Sequence, residues 1–349
     1  MKVGIDLIRA RLRAPFVSST GAVEARELLL LRLEDASGRV AFGEAAPLES
    51  YDGVSVADCR AALEDCRPIL ADSDAEDREE LLKRCERVAV LPQALAAVDL
   101  ALWDLCAQRA GQPVWRLLGA TPPAAVEVNY TIASEDRAAA AAEALRARSA
   151  GFRCIKVKVG IGDDAGRVAA VRAVAGPEVA IRLDANGAWT AAEATAALRA
   201  LEPAGIELCE EAVTGLSETR ELSGLTSVPL SIDETAASPG ALEHRVCDAV
   251  CLKIARCGGI TGLIDGARRA RAAGYQVYLA STLDGPLGIA AALHAAAALD
   301  PDRPSGLATL GLFVDAGDAL APRGGRIAVP DGPGLGSGLA RWYRTGLAR

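Results

Sequence analysis

The chain is short of the residue that enzymes use most often for proton transfer near neutral pH. Its 349 residues include two histidines, His244 and His294. Both lie in helix-like stretches with no neighbouring metal-ligand or nucleophile pattern and read as structural. No Gly-x-Ser-x-Gly elbow, Walker loop or His-Glu-x-x-His occurs, which removes the hydrolase, nucleotide-phosphate and zinc-protease readings those motifs carry. Acid–base chemistry in this chain therefore has to use lysine or carboxylate. The nine cysteines form no Cys-x-x-Cys pair; an odd, scattered set points to reduced thiols in a cytosol rather than to a disulfide framework. Cys154, Cys209 and Cys251 sit in strand-like runs and read as small buried hydrophobes. Long basic runs are missing too, and the net charge is −8, so nucleic acid is not an expected partner. The N-terminal "MKVGIDLIRARLRAPF" carries charges through its apolar stretch, unlike a signal peptide or a membrane span. The most apolar run, "GIAAALHAAAAL" (288–299), is too short to span and reads as a buried helix. A cytoplasmic protein without a membrane partner is expected.

What is present suffices for a large core, since 51% of residues are hydrophobic, and the abundance of alanine favours helices. The length suits a small domain beside a barrel of about 200–250 residues. Strand-like runs at 2–12, 25–35 and 38–47 open the chain, and helical periodicity follows from 54 to 70, 74 to 85 and 91 to 118. This is an α+β block. From Val126 the pattern becomes alternation, with strand-like runs at 126–131, 154–159, 180–186, 206–213, 229–234, 249–254 and 276–282. An eighth, weaker run is "GLATLGL" (306–312). Alanine-rich helical stretches lie between them. Such alternation means parallel strands, and about eight units suggest a (β/α) barrel. An open doubly wound sheet is the alternative, but no phosphate-binding fingerprint follows any strand. The expected organisation is a cap over 1–122, a barrel over 123–320 and a segment over 321–349 that returns to the cap. "GPGLG" (332–336) precedes no good helix start and reads as a turn.

In "RCIKVKVGIG" (153–162), Lys156 and Lys158 share one face of a strand and Ile155, Val157 and Val159 the other. Taken alone, a sheet with one wet face would explain them. The later strands change that reading. Asp184, Glu210, Asp233 and Lys253 fall at the C-terminal ends of successive strand-like runs, each about one βα unit beyond the last. In a barrel such residues converge on the mouth where catalytic groups of this fold sit. Three carboxylates from adjacent strands repel one another unless something neutralises them. As an all-oxygen set they suit a hard divalent cation, Mg²⁺ before others. Lys158 and Lys253 then flank that cation. A neighbouring positive charge and partial burial are expected to lower a lysine pKa, which suits a base near neutral pH. The chemistry this fits is removal of a proton from carbon beside a carboxylate, through an enediolate.

These residues, with "DANGAW" (184–189), "EE" (210–211), "DE" (233–234), "LKIARCGGITG" (252–262) and "GPGLG", resemble the enolase superfamily over nearly the whole chain. The resemblance is to its muconate-lactonizing subgroup. "AAVDLALWDLCAQRAGQPVWRLLG" (96–119) is similar to the helix that leads into that family's barrel. The resemblance implies an α/β fold, a modified (β/α) barrel of enolase type with an N-terminal α+β capping domain. It implies Mg²⁺, with Mn²⁺ as an alternative, on Asp184, Glu210 and Asp233. Lys158 and Lys253 become the acid–base pair, a combination known for enolase-superfamily sites. Lys156, Asn186, Gly259, Ser281 and Thr282 become substrate contacts. Cap loops near 15–21 and 48–53 are expected to close the mouth. A histidine base is disfavoured because the seventh strand ends "LASTLDG". Two departures stand out: Ala212 replaces a common proline, and Asp284 a common glutamate.

Family members with this lysine pair include o-succinylbenzoate synthases, N-acylamino acid racemases, dipeptide epimerases and muconate-type cycloisomerases. The epimerases resemble one another in an Asp-x-Asp at the eighth strand, absent from "GLATLG". "FGEAAPLESYDG" (42–53) and "PSGLATLGLF" (304–313) look more like the synthases of menaquinone biosynthesis, carbon–oxygen lyases that eliminate water. In that reaction Lys158 takes the α-proton and Lys253 stabilises the enediolate. The implied partner is a small carboxylate; a homo-oligomer is left open. A non-catalytic metal-binding barrel is the competing class, but a purely structural site has no use for two opposed lysines.

Overall fold

The computed structural model describes residues 1–74, 77–121, 125–314 and 316–344. The chain opens with an antiparallel meander of β1 (Lys2–Ser18), β2 (Gly21–Glu34) and β3 (Val40–Ala45). Three of the four helices after it, α2 (Val56–Ala71), α3 (Arg78–Glu86) and α4 (Pro92–Ala110), pack on one face of this sheet, while the single turn α1 (Glu49–Asp52) stands apart. The run "LLLL" in β2 shows why strict alternation fails there. Leu29, Leu31 and Leu33 join the core beneath the cap helices, whereas Leu28 and Leu30 join the barrel core on the other face. A strand covered on both sides is apolar throughout. Gly43 marks the closest approach of sheet and helix, since a Cβ there would lie 1.9 Å from the carbonyl oxygen of Ala97 in α4.

The helical periodicity read across 91–118 is interrupted: α4 stops at the left-handed Gly111 and a short α5 (Val114–Leu117) follows Pro113. Two short strands come next, β4 (Val126–Glu127) and β5 (Tyr130–Ile132). The barrel strands that follow are β6 (Cys154–Lys158), β7 (Ala180–Asp184), β8 (Ile206–Glu210), β9 (Leu230–Ile232), β10 (Ala249–Lys253) and β11 (Gln276–Ala280). Strands β5 to β11 hydrogen-bond in chain order as one parallel sheet. The helices between them are α6 (Arg137–Ser149), α7 (Asp164–Ala175), α8 (Ala191–Leu201), α9 (Leu216–Ser223) and α10 (Ile260–Ala272), and α11 (Pro286–Leu299) follows β11. The fold is thus a (β/α) barrel with an N-terminal α+β cap, the architecture that the resemblance implies.

The expected eighth strand over 306–312 does not form. The ring closes through single bridges, Val128 to Ser305 and Ala280 to Gly306, and the chain then coils into a 3-10 turn at Leu310–Leu312. The tail forms β12 (Arg326–Ile327), which pairs with β4 rather than with the cap sheet. Further on it does reach the cap, where Leu335 N donates to Asp104 and the Tyr343 hydroxyl donates to Glu44. The expected boundary between 122 and 123 lies outside the described residues, as do 345–349 of the tail.

His294, on the buried α11, is structural as expected. Its Nδ1 accepts from Trp115 N at 3.3 Å while Nε2 faces the carbonyl of Leu335 at 3.1 Å. Burial lowers its pKa to about 4, so the neutral ring ties three segments together. The floor of the barrel is plugged by Arg182, fully buried, whose Nε donates to Glu207 at 2.9 Å and Nη1 to Pro304 O at 2.7 Å. Arg303 donates to the same Glu207 from the other side. No helix among the described residues is long and apolar enough to cross a membrane.

Candidate active site

Parallel pairing in register puts Lys158 opposite Asp184 and Asp184 opposite Glu210, so the three side chains leave their strands at one level. Lys156 stands one pleat lower, opposite Arg182. Asp233 follows the end of β9 and Lys253 ends β10. With β7, β8 and β9 between them, β6 and β10 hold Lys158 and Lys253 on opposite sides of the ring, and both line one cavity at its mouth. The lysines are not on a wet face, since every residue of β6 is buried. The chain has five lysines, and three of them are here.

The electrostatics are those of alternating charges. Lys156 Nζ lies 2.9 Å from both Asp184 and Glu210. Lys158 Nζ donates to Asp184 Oδ2 at 2.7 Å and to Asn186 Oδ1 at 2.7 Å. Lys253 pairs with Asp233. Burial alone would raise the Asp184 pKa, but Lys156 and Lys158 carry it well below the usual range. Glu210 is shifted upward, by burial above all. The expected lowering of lysine pKa is not found: burial pulls Lys156 and Lys253 down, yet the facing carboxylates pull them further up. The reason is that more than one carboxylate faces each of these ammonium groups, and opposite charge at close range favours the charged form.

The donor set fits a hard cation. Oxygens of Glu210 and Asp233 come within 4.8 Å of each other and of the Cys251 sulfur, while the Asp184 carboxylate, outside that group, pairs with Lys156 and Lys158. Burial keeps the Cys251 thiol protonated, so oxygen is the ligand type on offer, as Mg²⁺ prefers. The Tyr278 hydroxyl donates to Glu210 Oε2 at 2.6 Å and fixes that carboxylate from across the barrel. Both strand ends beside this set are bent. Asn186 and Glu211 have φ of 45° and 39°; asparagine tolerates this conformation, whereas for glutamate it stores strain. Glu211 is held there by the backbone N–H groups of Asp233 and Thr235, which donate to its carboxylate at 2.6 and 2.9 Å. Its Ala212 neighbour is buried, with no ionisable group to bring to the ligand set.

The expected substrate contacts divide. Lys156, Asn186, Ser281 and Thr282 line the cavity. Ser281 shares a hydrogen bond with Thr309 at 2.7 Å, and Thr282 Oγ1 donates to Asp284 at 2.7 Å. Gly259 does not reach the cavity. It starts α10 with φ of 99°, and a Cβ there would lie 2.5 Å from Asp99 of the cap helix α4. Its glycine serves the packing of cap on barrel, where Asp99 accepts from Thr261 N and Oγ1. Both cap loops do arrive: Ser19 Oγ donates to Ala185 O at 2.8 Å, and Tyr51 of α1 accepts from Lys253 Nζ at 2.5 Å. Tyr51, Phe16, Thr131 and Thr309 were not singled out from sequence. Each stands in a turn, a strand end or an irregular segment, where no periodicity marks a side chain. The only signal was the position of Tyr51 and Phe16 within the two loops expected to close the mouth.

Comparison with known proteins gives the same outline. Residues 3–119 match the mandelate racemase/muconate lactonizing enzyme N-terminal domain, and residues 138–341 match the enolase C-terminal domain-like family. The chain is 31% identical to the L-Ala-D/L-Glu epimerase of Bacillus subtilis, over 96% of each chain. The dipeptide epimerase of Cytophaga hutchinsonii, solved with Mg and the dipeptide D-Ala-L-Val, superimposes with a TM-score of 0.91 at 27% identity, covering 99% of this chain and 97% of that one. The N-succinyl Arg/Lys racemase of Bacillus cereus does so with a TM-score of 0.93 at 25% identity, over 99% and 97%. With both domains matched and the relatives aligned end to end, the chain belongs to the mandelate racemase and muconate lactonizing enzyme family and is an enzyme of the enolase superfamily.

Proposed function

We propose that this enzyme moves the proton alpha to a substrate carboxylate, with Lys158 and Lys253 as the acid–base pair and Asp184, Glu210 and Asp233 holding Mg²⁺. The reaction we assign is the dehydration of an o-succinylbenzoate synthase. The observation that carries the proposal is the pair of opposed ammonium groups on either side of three buried carboxylates. A bound Mg²⁺ supplies positive charge at the substrate carboxylate, which acidifies the adjacent C–H. Lys158 enters this step as the free amine, takes the proton and becomes the ammonium. Lys253, still charged on the far side, faces the oxygens on which negative charge collects. Hydroxide then departs from the neighbouring carbon on the Lys158 side, with that lysine returning its proton.

Substrate charge separates this reaction from dipeptide epimerisation. A dipeptide carries an ammonium group that needs an anionic partner. Among the described residues that line the cavity, the charged ones are Lys156, Lys158 and Lys253, and the segment 306–309 contributes Gly306 and Thr309. Phe16, Val23, Leu48 and Leu283 supply an apolar wall. A substrate with carboxylates and no free amine suits this lining. The same feature favours a second reading, racemisation of an N-acylamino acid, in line with the N-succinyl Arg/Lys racemase among the similar structures.

The test is incubation with Mg²⁺ and the cyclohexadiene substrate of o-succinylbenzoate synthase, following loss of diene absorbance against an EDTA control. Rapid, EDTA-sensitive loss is expected. No loss, together with α-proton exchange of N-succinylamino acids in D₂O, would replace the synthase with the racemase.

A further inference from the structure

The two lysines are held by different parts of the molecule. Lys158 has both of its acceptors from one strand end, Asp184 and Asn186. The Asn186 amide cannot turn over, because its Nδ2 donates to Glu234 Oε1 at 2.9 Å and so commits Oδ1 to the lysine. Lys253 has Asp233 from the barrel, but its second acceptor comes from the cap. The Tyr51 hydroxyl oxygen, on α1, accepts from Lys253 Nζ at 2.5 Å and from Arg256 Nη1 at 3.2 Å. The ammonium also lies 4.2 Å from the centre of the Tyr51 ring.

An ammonium with two N–H groups engaged on separate elements has its third held in one direction; with one engaged, the head swings more widely about that single anchor. We propose that Tyr51 is a positioning residue that aims Lys253 into the cavity, so that half of the acid–base pair is assembled only when α1 of the cap is seated. Lys158, by contrast, takes both of its hydrogen-bond acceptors from the barrel, and the cap meets its ammonium only through the Phe16 ring, 5.6 Å away. Arg256 reinforces the arrangement: it pins the same phenol oxygen and reaches the backbone oxygens of Asp233 and Glu234, tying the cap residue to the segment that carries a ligand. The catalytic meaning of this contact rests on the lysine-pair reading; the contact itself is testable without it.

The chain's five lysines make the test clean, since Lys2 and Lys83 are exposed controls in the cap. Full-length wild type, Y51F and N186A are reductively methylated with formaldehyde and cyanoborohydride in Mg²⁺, and each lysine is followed by peptide mass spectrometry. Y51F keeps the ring and loses only the hydroxyl. Its expected effect is an increase of at least threefold in the methylation rate of Lys253, with Lys158 unchanged within twofold; N186A should do the reverse. An unchanged Lys253 in Y51F, or equal changes at both pocket lysines, overturns the proposal. A second arm follows α-proton exchange of N-succinyl-L-phenylalanine and N-succinyl-D-phenylalanine in D₂O. Y51F should slow one enantiomer at least tenfold and leave the other within twofold, whereas equal slowing of both counts against a role specific to Lys253. Wild type that exchanges neither counts against the racemase reading alone, and the methylation ratio still decides Tyr51.

Discussion

The ammonium group of Lys156 lies 2.9 Å from Asp184, and from that position it reaches Glu210 at the same distance. One lysine thus stands between two of the carboxylates proposed above as metal ligands and neutralises both. Replacing it with methionine keeps the volume and leaves two buried carboxylates facing each other. K156M should lose about 3–5 kcal/mol of stability in EDTA. Saturating Mg²⁺ should recover a large part of that loss, because a ligand that binds only the folded state stabilises it. Thermal melts with EDTA and with Mg²⁺ check this; equal losses in both would remove the bridging role.

Lys158 and Lys253 should behave differently from Lys156. K158A and K253A should each lower turnover by about 10²–10⁴-fold or more, while titration calorimetry finds Mg²⁺ binding retained. Lost metal binding in either variant would make that lysine part of the metal site's scaffold instead.

A pH dependence comes from the junction of cap and barrel. Burial first, and Asp284 second, push the Glu44 carboxyl up to about 8. Arg26 faces the same pocket but spends its donors on the carbonyls of Ala46, Pro47 and Leu283, and Tyr343 donates to Glu44 from the tail. The folded pKa is above the ordinary glutamate value, so the contribution to stability is complete below about pH 4 and is lost as pH rises through 8. Between pH 5 and pH 8 wild type should lose roughly 3–4 kcal/mol relative to E44Q. Urea unfolding of the two proteins at both pH values measures the difference, and parallel curves would exclude the effect.

Gly43 offers a test of packing. A Cβ there overlaps the Ala97 carbonyl oxygen at 1.9 Å, and α4 cannot retreat without opening the cap core. G43A should cost about 3 kcal/mol or more. G4A, where the nearest side-chain atom is 3.7 Å from the new Cβ, serves as the matched control.

The charged residues of the mouth were legible because a strand has a period of two and a barrel repeats its βα unit; position in the chain then predicts position around the ring. Asp184, Glu210, Asp233 and the lysines follow that rule, and the structure gathers them. The eighth strand did not follow it, since closure by single bridges at Ser305 and Gly306 needs no β-rich run. Gly259 was misplaced for a related reason: a loop glycine beside a motif looks the same whether a ligand or another helix presses on it. Tyr51 was invisible because its role depends on how a cap turn lands on the barrel, which no local pattern encodes. The direction of the lysine pKa shifts does not follow from the spacing, because it depends on how closely carboxylates of other strands approach each ammonium group.

The Arg182 plug closes one end of the barrel, and the cap closes over the other. The cavity is therefore a cul-de-sac. A molecule that enters past Phe16 and Tyr51 has to leave by the same door, so departure of product and arrival of the next substrate are a single queue.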